Sequence, residues 1–245
     1  SGTSTFSIHF KKLMNNGHRM SMEILHIAKR SFHKILIANT MWETMAVPAL
    51  TYGMEVLPFR VTVARDLDKH QLSLVKGLLN LPKCISSVGL IGETAVMPFR
   101  YRWHKRHLMY LHRLINLNPD THLCKKIFDT LLVLISTPQS QYKLKKSDWL
   151  FQMLKLCKTY EIDILSAYSC STQQWKNTID KKVQQKWHSQ WEYTMSKRKI
   201  PEGFLRPSPP SQEQYLSSPF AREIILLRNS MLMKHFLKTW DSVAL

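Results

Sequence analysis

The chain has 245 residues, of which 44% are hydrophobic, and its 35 Lys and Arg side chains against 17 Asp and Glu give a formal charge of +18. This length and apolar content suffice for one large domain or two small ones. No apolar run reaches the roughly 18–20 residues that a membrane-spanning helix needs, so no such helix is expected in this span. The chain has only seven glycines, and Asn-Gly turn pairs flanked by alternating strands are nearly absent, which favours an all-α fold.

The positive charge is spread along the whole sequence. Residues 1–60 carry seven Lys or Arg against three acids, and residues 181–245 carry eleven against five. A polyanion is the simplest partner for this surplus, and the even spread favours a long groove over a basic arm on a neutral body. A merely soluble basic surface is the alternative. A membrane surface is not expected as the partner, because the basic residues are not paired with a strongly amphipathic terminal helix.

Apolar periodicity and capping signals predict a series of helices. In chain order they are Ile8–Arg30, His33–Tyr52, Thr62–Leu79, a short helix capped by Ser86 or Ser87 and ending at Glu93, Pro98–Asn116, Thr121–Ile135, Lys146–Tyr160, Thr172–Lys199 and Pro219–Trp240. Pro48 should kink the second helix near Thr44, since proline has no N–H and clashes with the carbonyl four residues earlier. Four prolines make residues 200–211 an extended linker.

The strongest candidate binding site is the predicted helix over residues 99–114. Its core side is expected to hold Trp103, His107, Tyr110, Leu111 and Leu114, with Trp103 placed in the core in preference to a base-stacking role. The other side is expected to present Arg102, Lys105, Arg106, His112 and Arg113 to solvent, with Arg100 just before them. Basic side chains three or four residues apart on a helix are neighbours and can meet successive phosphates. No acid lies between Glu93 and Asp120 to pair with them locally.

A second basic region lies on the predicted helix Thr172–Lys199, where Lys181, Lys182 and Lys186 could touch nucleic acid or only keep the helix soluble. The same helix carries apolar residues at steps of about four. These are Trp175, Ile179, Val183, Trp187 and Trp191. This stripe predicts a core or a helix–helix contact in preference to a base-stacking surface.

Metal sites and disulfides are not expected. Cys84, Cys124, Cys157 and Cys170 form no Cys-x-x-Cys pair, which leaves a zinc site unsupported and favours reduced, mostly buried thiols in an intracellular protein. The pair His104 and His107 has no acidic or thiol ligand near it in sequence.

Three blocks in this order resemble the region that follows the catalytic palm in reverse transcriptases of non-LTR retrotransposons. They are Ala46–Phe59, the helical segment from Asp66 that ends at Lys83, and Gly92–Leu114. In that family this region forms a helical thumb that closes on the template–product duplex. The resemblance covers about residues 8–118 well and the remainder loosely, and the Trp-bearing stretch 175–191 also resembles the basic segment after the thumb.

The resemblance implies an all-α, multi-helix bundle with a thumb-like helical domain over 1–118, a helical extension over 119–199, the linker 200–211 and a C-terminal helical part over 212–245. The chain has no adjacent Asp pair, so no catalytic residue is carried over. Magnesium is expected only for a palm that would precede Ser1, and no cofactor is expected in this span. The absence of an initiator Met and the start Ser-Gly-Thr-Ser indicate an internal or C-terminal fragment.

The expected function is therefore the nucleic-acid-binding part of a retroelement RNA-directed DNA polymerase, inactive by itself as a polymerase. Its partners would be RNA, DNA or their hybrid, in an intracellular and nuclear setting. The alternative is a domesticated helical module that binds a protein partner through the Trp-bearing helix. Phosphate-driven binding weakens steeply with salt, whereas an apolar helix contact does not, so salt dependence separates the two.

Overall fold

The computed structural model describes residues 3–82, 87–94, 96–136 and 148–197, and these ranges form an all-α, multi-helix bundle without a strand, which confirms the predicted fold class. The helices are α1 Thr3–Lys29, α2 Lys34–Met41, a π-helical turn Trp42–Ala46, α3 Val47–Thr51, a 3-10 turn Met54–Val56, α4 Val61–Leu78, α5 Ser87–Thr94, α6 Phe99–Ile115, α7 Leu123–Ser136, α8 Trp149–Thr159, α9 Ser166–Ser169 and α10 Thr172–Ser196. Within these residues, none of the helices combines the length and apolar character that a membrane span needs.

The long helices lie where periodicity predicts them, with ends that differ by a few residues. The short helix α9 was not predicted, since four residues give no readable period. The start of α5 is Ser87, whereas Ser86, the other candidate cap, lies outside the described residues. The linker 200–211, the part 212–245 and the predicted helix Pro219–Trp240 also lie outside them.

The predicted interruption at Pro48 is present as a π-helical turn over Trp42–Ala46. Proline removes one hydrogen bond of the helix ladder and its ring would clash with the Thr44 carbonyl, and the wider π turn accommodates both effects. The helical run then ends near Gly53, which has a left-handed backbone with φ of 73°. Glycine adopts this conformation without the steric cost of a β-carbon.

The chain divides into two compact units. The first unit takes the stretch up to Leu50, then Thr62–Phe99, and the described residues from Trp187 onward; the second takes Thr51–Val61 and Arg100–Lys186. The predicted boundary after residue 118 falls inside the second unit. The division into 1–118 and 119–199 therefore does not follow these units and stays a prediction drawn from the resemblance.

The first unit has a core built by helices that approach closely. Trp42 and Phe99 meet edge to face with ring centroids 6.3 Å apart. The indole of Trp191, from the end of α10, donates a hydrogen bond to the Val88 carbonyl at 3.1 Å and lies against Gly92 in α5. Glycine at position 92 leaves the space that this indole fills.

The second unit has three tryptophan indoles that each donate to a backbone carbonyl. Trp103 donates to Met54 at 2.8 Å, Trp149 to Glu55 at 2.8 Å, and Trp175 to Leu108 at 3.0 Å. A buried indole N–H needs such a partner. These bonds hold the segment Thr51–Val61, α8 and α10 around α6, which is the helix of the candidate site.

Candidate nucleic-acid interface

Helix α6 is fixed by the apolar side that periodicity predicted. Trp103 is 0% exposed, and His107, Leu111 and Leu114 are also buried, whereas Tyr110, expected on the same side, is only half-buried. The two ring nitrogens of His107 lie 3.1 Å from the carbonyl oxygens of Trp103 and Leu57. The placement of Trp103 in the core is therefore confirmed, and α6 offers a rigid support for the side chains on its remaining surface.

The exposed cations of α6 are Arg100, Arg106 and Arg113. The prediction that Arg102 is exposed was wrong, since this residue is only 9% exposed. His112 is buried as well: its Nε2 lies 3.2 Å from the Cys170 carbonyl and its ring stacks on Trp175. Dividing α6 into one buried and one exposed side mispredicts these two residues, because neighbouring elements cover more than one side of the helix. Only a narrow strip of α6 stays exposed.

Lys105 is half-exposed and its charge is already paired. Its Nζ lies 2.5 Å from the carboxylate of Asp180 on α10. The sequence shows no acid near Lys105, but folding brings one from 75 positions further along the chain. An ion pair at this level of exposure adds little stability. It does reduce the charge that Lys105 offers to a phosphate, so Lys105 is a weaker candidate than the sequence indicated.

Arg106 and Arg113 line one groove of about 640 Å³ in the second unit, which we call the α6 groove. Its lining residues are Glu55, Arg106, Met109, Tyr110, His112, Arg113, Asn116, Leu117, Cys170, Ser171 and Thr172. The two arginines are seven residues apart, which places them on the same side of the helix and about 10 Å apart along its axis. Within the described residues neither arginine forms an ion pair.

The start of α10 forms another edge of the α6 groove. Ser171 Oγ accepts from the Gln174 N–H at 3.3 Å, and Gln174 Oε1 accepts from the Ser171 N–H at 3.0 Å. This reciprocal pair is a capping box, which fixes the first turn of the helix. The partial positive charge of a helix start adds to that of the two arginines, so the groove favours an anion.

The second basic region is only partly available. Lys181 and Lys186 are exposed, whereas Lys182 is half-buried and donates to the Glu161 carbonyl. The apolar stripe of the same helix is buried, as predicted: Trp175, Ile179, Val183, Trp187 and Trp191 all lie in the protein's own core. These tryptophans are therefore core residues and not a surface for base stacking.

No metal site is found in the part of the chain that the structure describes, where no three His, Cys, Asp or Glu side chains are arranged to hold an ion. His104 instead forms a hydrogen bond of 2.8 Å with the Tyr160 hydroxyl. The described cysteines Cys124, Cys157 and Cys170 are free, but Cys124 is exposed, so the expectation of mostly buried thiols fails there.

Burial lowers the pKa of His104 from 6.5 to about 3, and the nearby Arg100 charge acts in the same direction. Between pH 6.5 and about 3, the unfolded chain binds a proton at His104 that the folded protein does not bind. The contribution of His104 to the free energy of unfolding is therefore fully present above pH 6.5 and is lost as the pH drops toward 3. We expect urea unfolding to show this loss, and His104→Asn, which keeps an acceptor and does not titrate, to reduce it. The same change at exposed His122 is the control, and parallel curves for wild type and His104→Asn would contradict the expectation.

No family model, no curated protein and no solved structure matches this chain. The resemblance to reverse transcriptases therefore stays an expectation that rests on the three sequence blocks.

Two parts of the α6 groove were missed at the level of sequence. Glu55 comes from the 3-10 turn and meets α6 only through the fold, so no local pattern indicates it. The start of α10 did have a signal, the capping-box pattern from Ser171 to Gln174, which marks a helix start. The pattern does not reveal that this start borders the same groove as Arg106 and Arg113.

Proposed function

We propose that this chain is the nucleic-acid-binding, helical part of a non-LTR retroelement reverse transcriptase, without polymerase activity of its own. The observation that carries the proposal is the α6 groove, where Arg106 and Arg113 line one cavity and form no ion pair among the described residues. Guanidinium groups bind phosphate oxygens through two parallel hydrogen bonds.

The surrounding charge supports a polyanion over a small anion. The formal charge of +18 extends over every quarter of the sequence. Arg100, Lys181 and Lys186 are further exposed cations of the second unit and could contact phosphates beyond the groove. Because such contacts are made to phosphates, they supply affinity without reading sequence. RNA, DNA and their hybrid are all candidate partners.

The sequence blocks that carry the family resemblance contribute directly to the α6 groove. The block Ala46–Phe59 supplies Glu55 and, through the carbonyls of Met54 and Leu57, anchors α6. The block Gly92–Leu114 supplies α6 itself with both groove arginines. The blocks that resemble reverse transcriptases thus also build the basic groove. This supports a role in binding nucleic acid next to a polymerase.

The alternative, a module that binds a protein partner through the Trp-bearing helix, has less support. That mode needs an apolar stripe open to a partner, whereas the five residues of the stripe are buried in the chain's own core. The outward side of α10 is polar and carries Lys181 and Lys186, which suits water or an acidic ligand better than an apolar contact.

Salt dependence of binding tests the proposal. If five phosphates are engaged, log K against log salt should have a slope of about −4.5 for duplex DNA and about −3.5 for single strands. Fluorescence anisotropy with labelled oligonucleotides over a range of salt measures it. An affinity that does not change with salt, or no binding at low salt, would contradict the proposal and favour the protein-partner alternative.

A further inference from the structure

A second, apolar pocket shares Tyr110 with the α6 groove, and we call it the Tyr110 pocket. Its volume is about 200 Å³, and its described lining comes from the 3-10 turn, α6, α7 and α8 without a charged side chain. Solvent reaches this lining, since Cys124 is exposed and Val56 and Ile127 are each 51% exposed. Drug-sized ligands need about 300–1,000 Å³, so the Tyr110 pocket suits a smaller group such as one planar ring.

Tyr110 connects the two cavities. It lines both of them and is half-buried, so part of its surface stays open to a ligand. Burial raises the pKa of its hydroxyl, and the nearby charges of Cys124 and Arg113 raise and lower that pKa in turn, which places a pocket thiol and a groove arginine close to it. The Tyr110 ring meets that of Trp149 edge to face, with centroids 5.7 Å apart and planes at 84°. A planar ring that enters the pocket can therefore stack on one of these rings while its edge meets the other.

The two groove arginines flank Tyr110 on the same helix. Arg106 lies four residues before it and Arg113 three residues after it, spacings that place β-carbons about 5–6 Å apart. In a nucleic-acid strand, each base is carried by a sugar that stands between two successive phosphates. A base stacked on Tyr110 would therefore have its flanking phosphates near Arg106 and Arg113. An apolar peptide side chain would also fit the pocket, but it brings no anion to the arginines.

We propose, resting on the proposed function, that the Tyr110 pocket takes the base of an unpaired nucleotide, stacked on Tyr110, while Arg106 and Arg113 bind the flanking phosphates. Stacking accepts every base, because every base has a π-face, so the pocket adds affinity without reading sequence. In a duplex the faces of the bases are covered by their neighbours, so a duplex cannot use the pocket. The site should therefore prefer single strands or unpaired ends.

Thiol alkylation of the wild-type protein tests this directly, because Cys124 lines the Tyr110 pocket and Cys170 lines the α6 groove. Reaction with iodoacetamide at low salt is followed at each cysteine by mass spectrometry. Saturating oligodeoxythymidine should slow alkylation at both cysteines. A strand of abasic units of equal length, or a blunt duplex, keeps the phosphates and should slow it at Cys170 alone. Buried Cys157, whose pKa burial raises to about 11, should stay unreactive throughout and shows that the protein remains folded.

Binding affinities from fluorescence anisotropy provide the second readout. Tyr110→Ala should weaken binding of oligodeoxythymidine by about 5- to 150-fold, the range for one stacked base, and leave binding of the abasic strand unchanged. Tyr110→Phe keeps the ring and should retain the wild-type affinity. Tyr52→Ala is the control, at a tyrosine of the same unit that is 82% exposed and lines neither cavity, and it should bind like the wild type.

Alkylation of Cys124 at an unchanged rate under saturating oligodeoxythymidine would overturn the proposal, and so would equal protection of Cys124 by the abasic strand or the duplex. A folded Tyr110→Ala variant with wild-type affinity for oligodeoxythymidine would overturn it as well. The alkylation is read on the wild-type protein, so it decides the question even if the alanine variant fails to fold. Salt-dependent binding without protection of Cys124 would overturn this inference alone, whereas no salt-dependent binding to any strand would overturn the proposed function with it.

Discussion

Trp103→Ala is expected to lower the free energy of unfolding by about 3–5 kcal/mol, the usual cost of removing a large buried aromatic side chain. Trp103 is fully buried, meets Phe59 edge to face with ring centroids 4.9 Å apart, and donates to the Met54 carbonyl. The substitution therefore opens a cavity and removes the indole hydrogen bond from the Met54 carbonyl, which also accepts from the Leu57 N–H at 3.3 Å. Urea unfolding monitored by circular dichroism measures the loss.

Trp103→Phe is the matched control, since it keeps an apolar ring and removes the indole N–H. It should cost clearly less than the alanine change, because most of the contact area remains. If Trp103 instead stacked on bases, the alanine variant would keep its stability while nucleic-acid affinity fell by about 1–3 kcal/mol per base lost. That pattern would contradict the placement of Trp103 in the core.

Gly92→Ala is expected to destabilise the first unit by about 1–3 kcal/mol, the range for overpacked sites. A β-carbon at this position would lie 2.5 Å from Cζ2 and 3.0 Å from Cε2 of the Trp191 indole, too close for van der Waals contact. The indole is held by its hydrogen bond to the Val88 carbonyl, so it cannot move aside without losing that bond. Thermal or urea unfolding measures the loss.

The control for this change is Gly77→Ala, at a helical glycine whose β-carbon would lie 3.3 Å from flexible atoms of Leu25. Alanine gains up to about 1 kcal/mol in helix propensity there, which offsets the tighter contact. A double-mutant cycle adds a second check: Gly92→Ala should cost less in a Trp191→Leu background, because the clashing ring is gone. Additive costs would show that the indole is not the cause.

Local patterns were enough to predict the long helices and most of the buried side of α6. Trp103, His107 and Leu111 recur at the period of a helix, and that period depends on neighbouring residues alone. The kink near Thr44 was predictable for the same reason, since Pro48 breaks the helix ladder by its own covalent structure.

The exposed side of α6 was not predictable to the same extent. Burial of Arg102 and His112 depends on which distant elements cover α6, and the pairing of Lys105 depends on Asp180 from another helix. Glu55 reaches the groove only through the tertiary fold. The sequence therefore indicated that α6 is basic, whereas the structure selects Arg106 and Arg113 from the predicted cations as the pair that shares a groove.

The central claim is that the α6 groove binds phosphates. The salt dependence of nucleic-acid binding by the double variant Arg106→Ala/Arg113→Ala tests it most directly. Both side chains are exposed and alanine suits a helix, so the double variant should fold like the wild type. Lys155→Ala/Lys158→Ala, on the exposed side of α8, is the matched control that removes two charges outside the groove.

The measurement is the slope of log K against log salt for the wild type and both variants, with circular dichroism to confirm folding. If each groove arginine neutralises one phosphate, the slope of the groove variant should be shallower by about 1.4–1.8 units, while the control keeps the wild-type slope. A folded groove variant with the wild-type slope, or an equal change of slope in the control variant, would contradict the claim. Either result would attribute the affinity to the general positive charge of the protein.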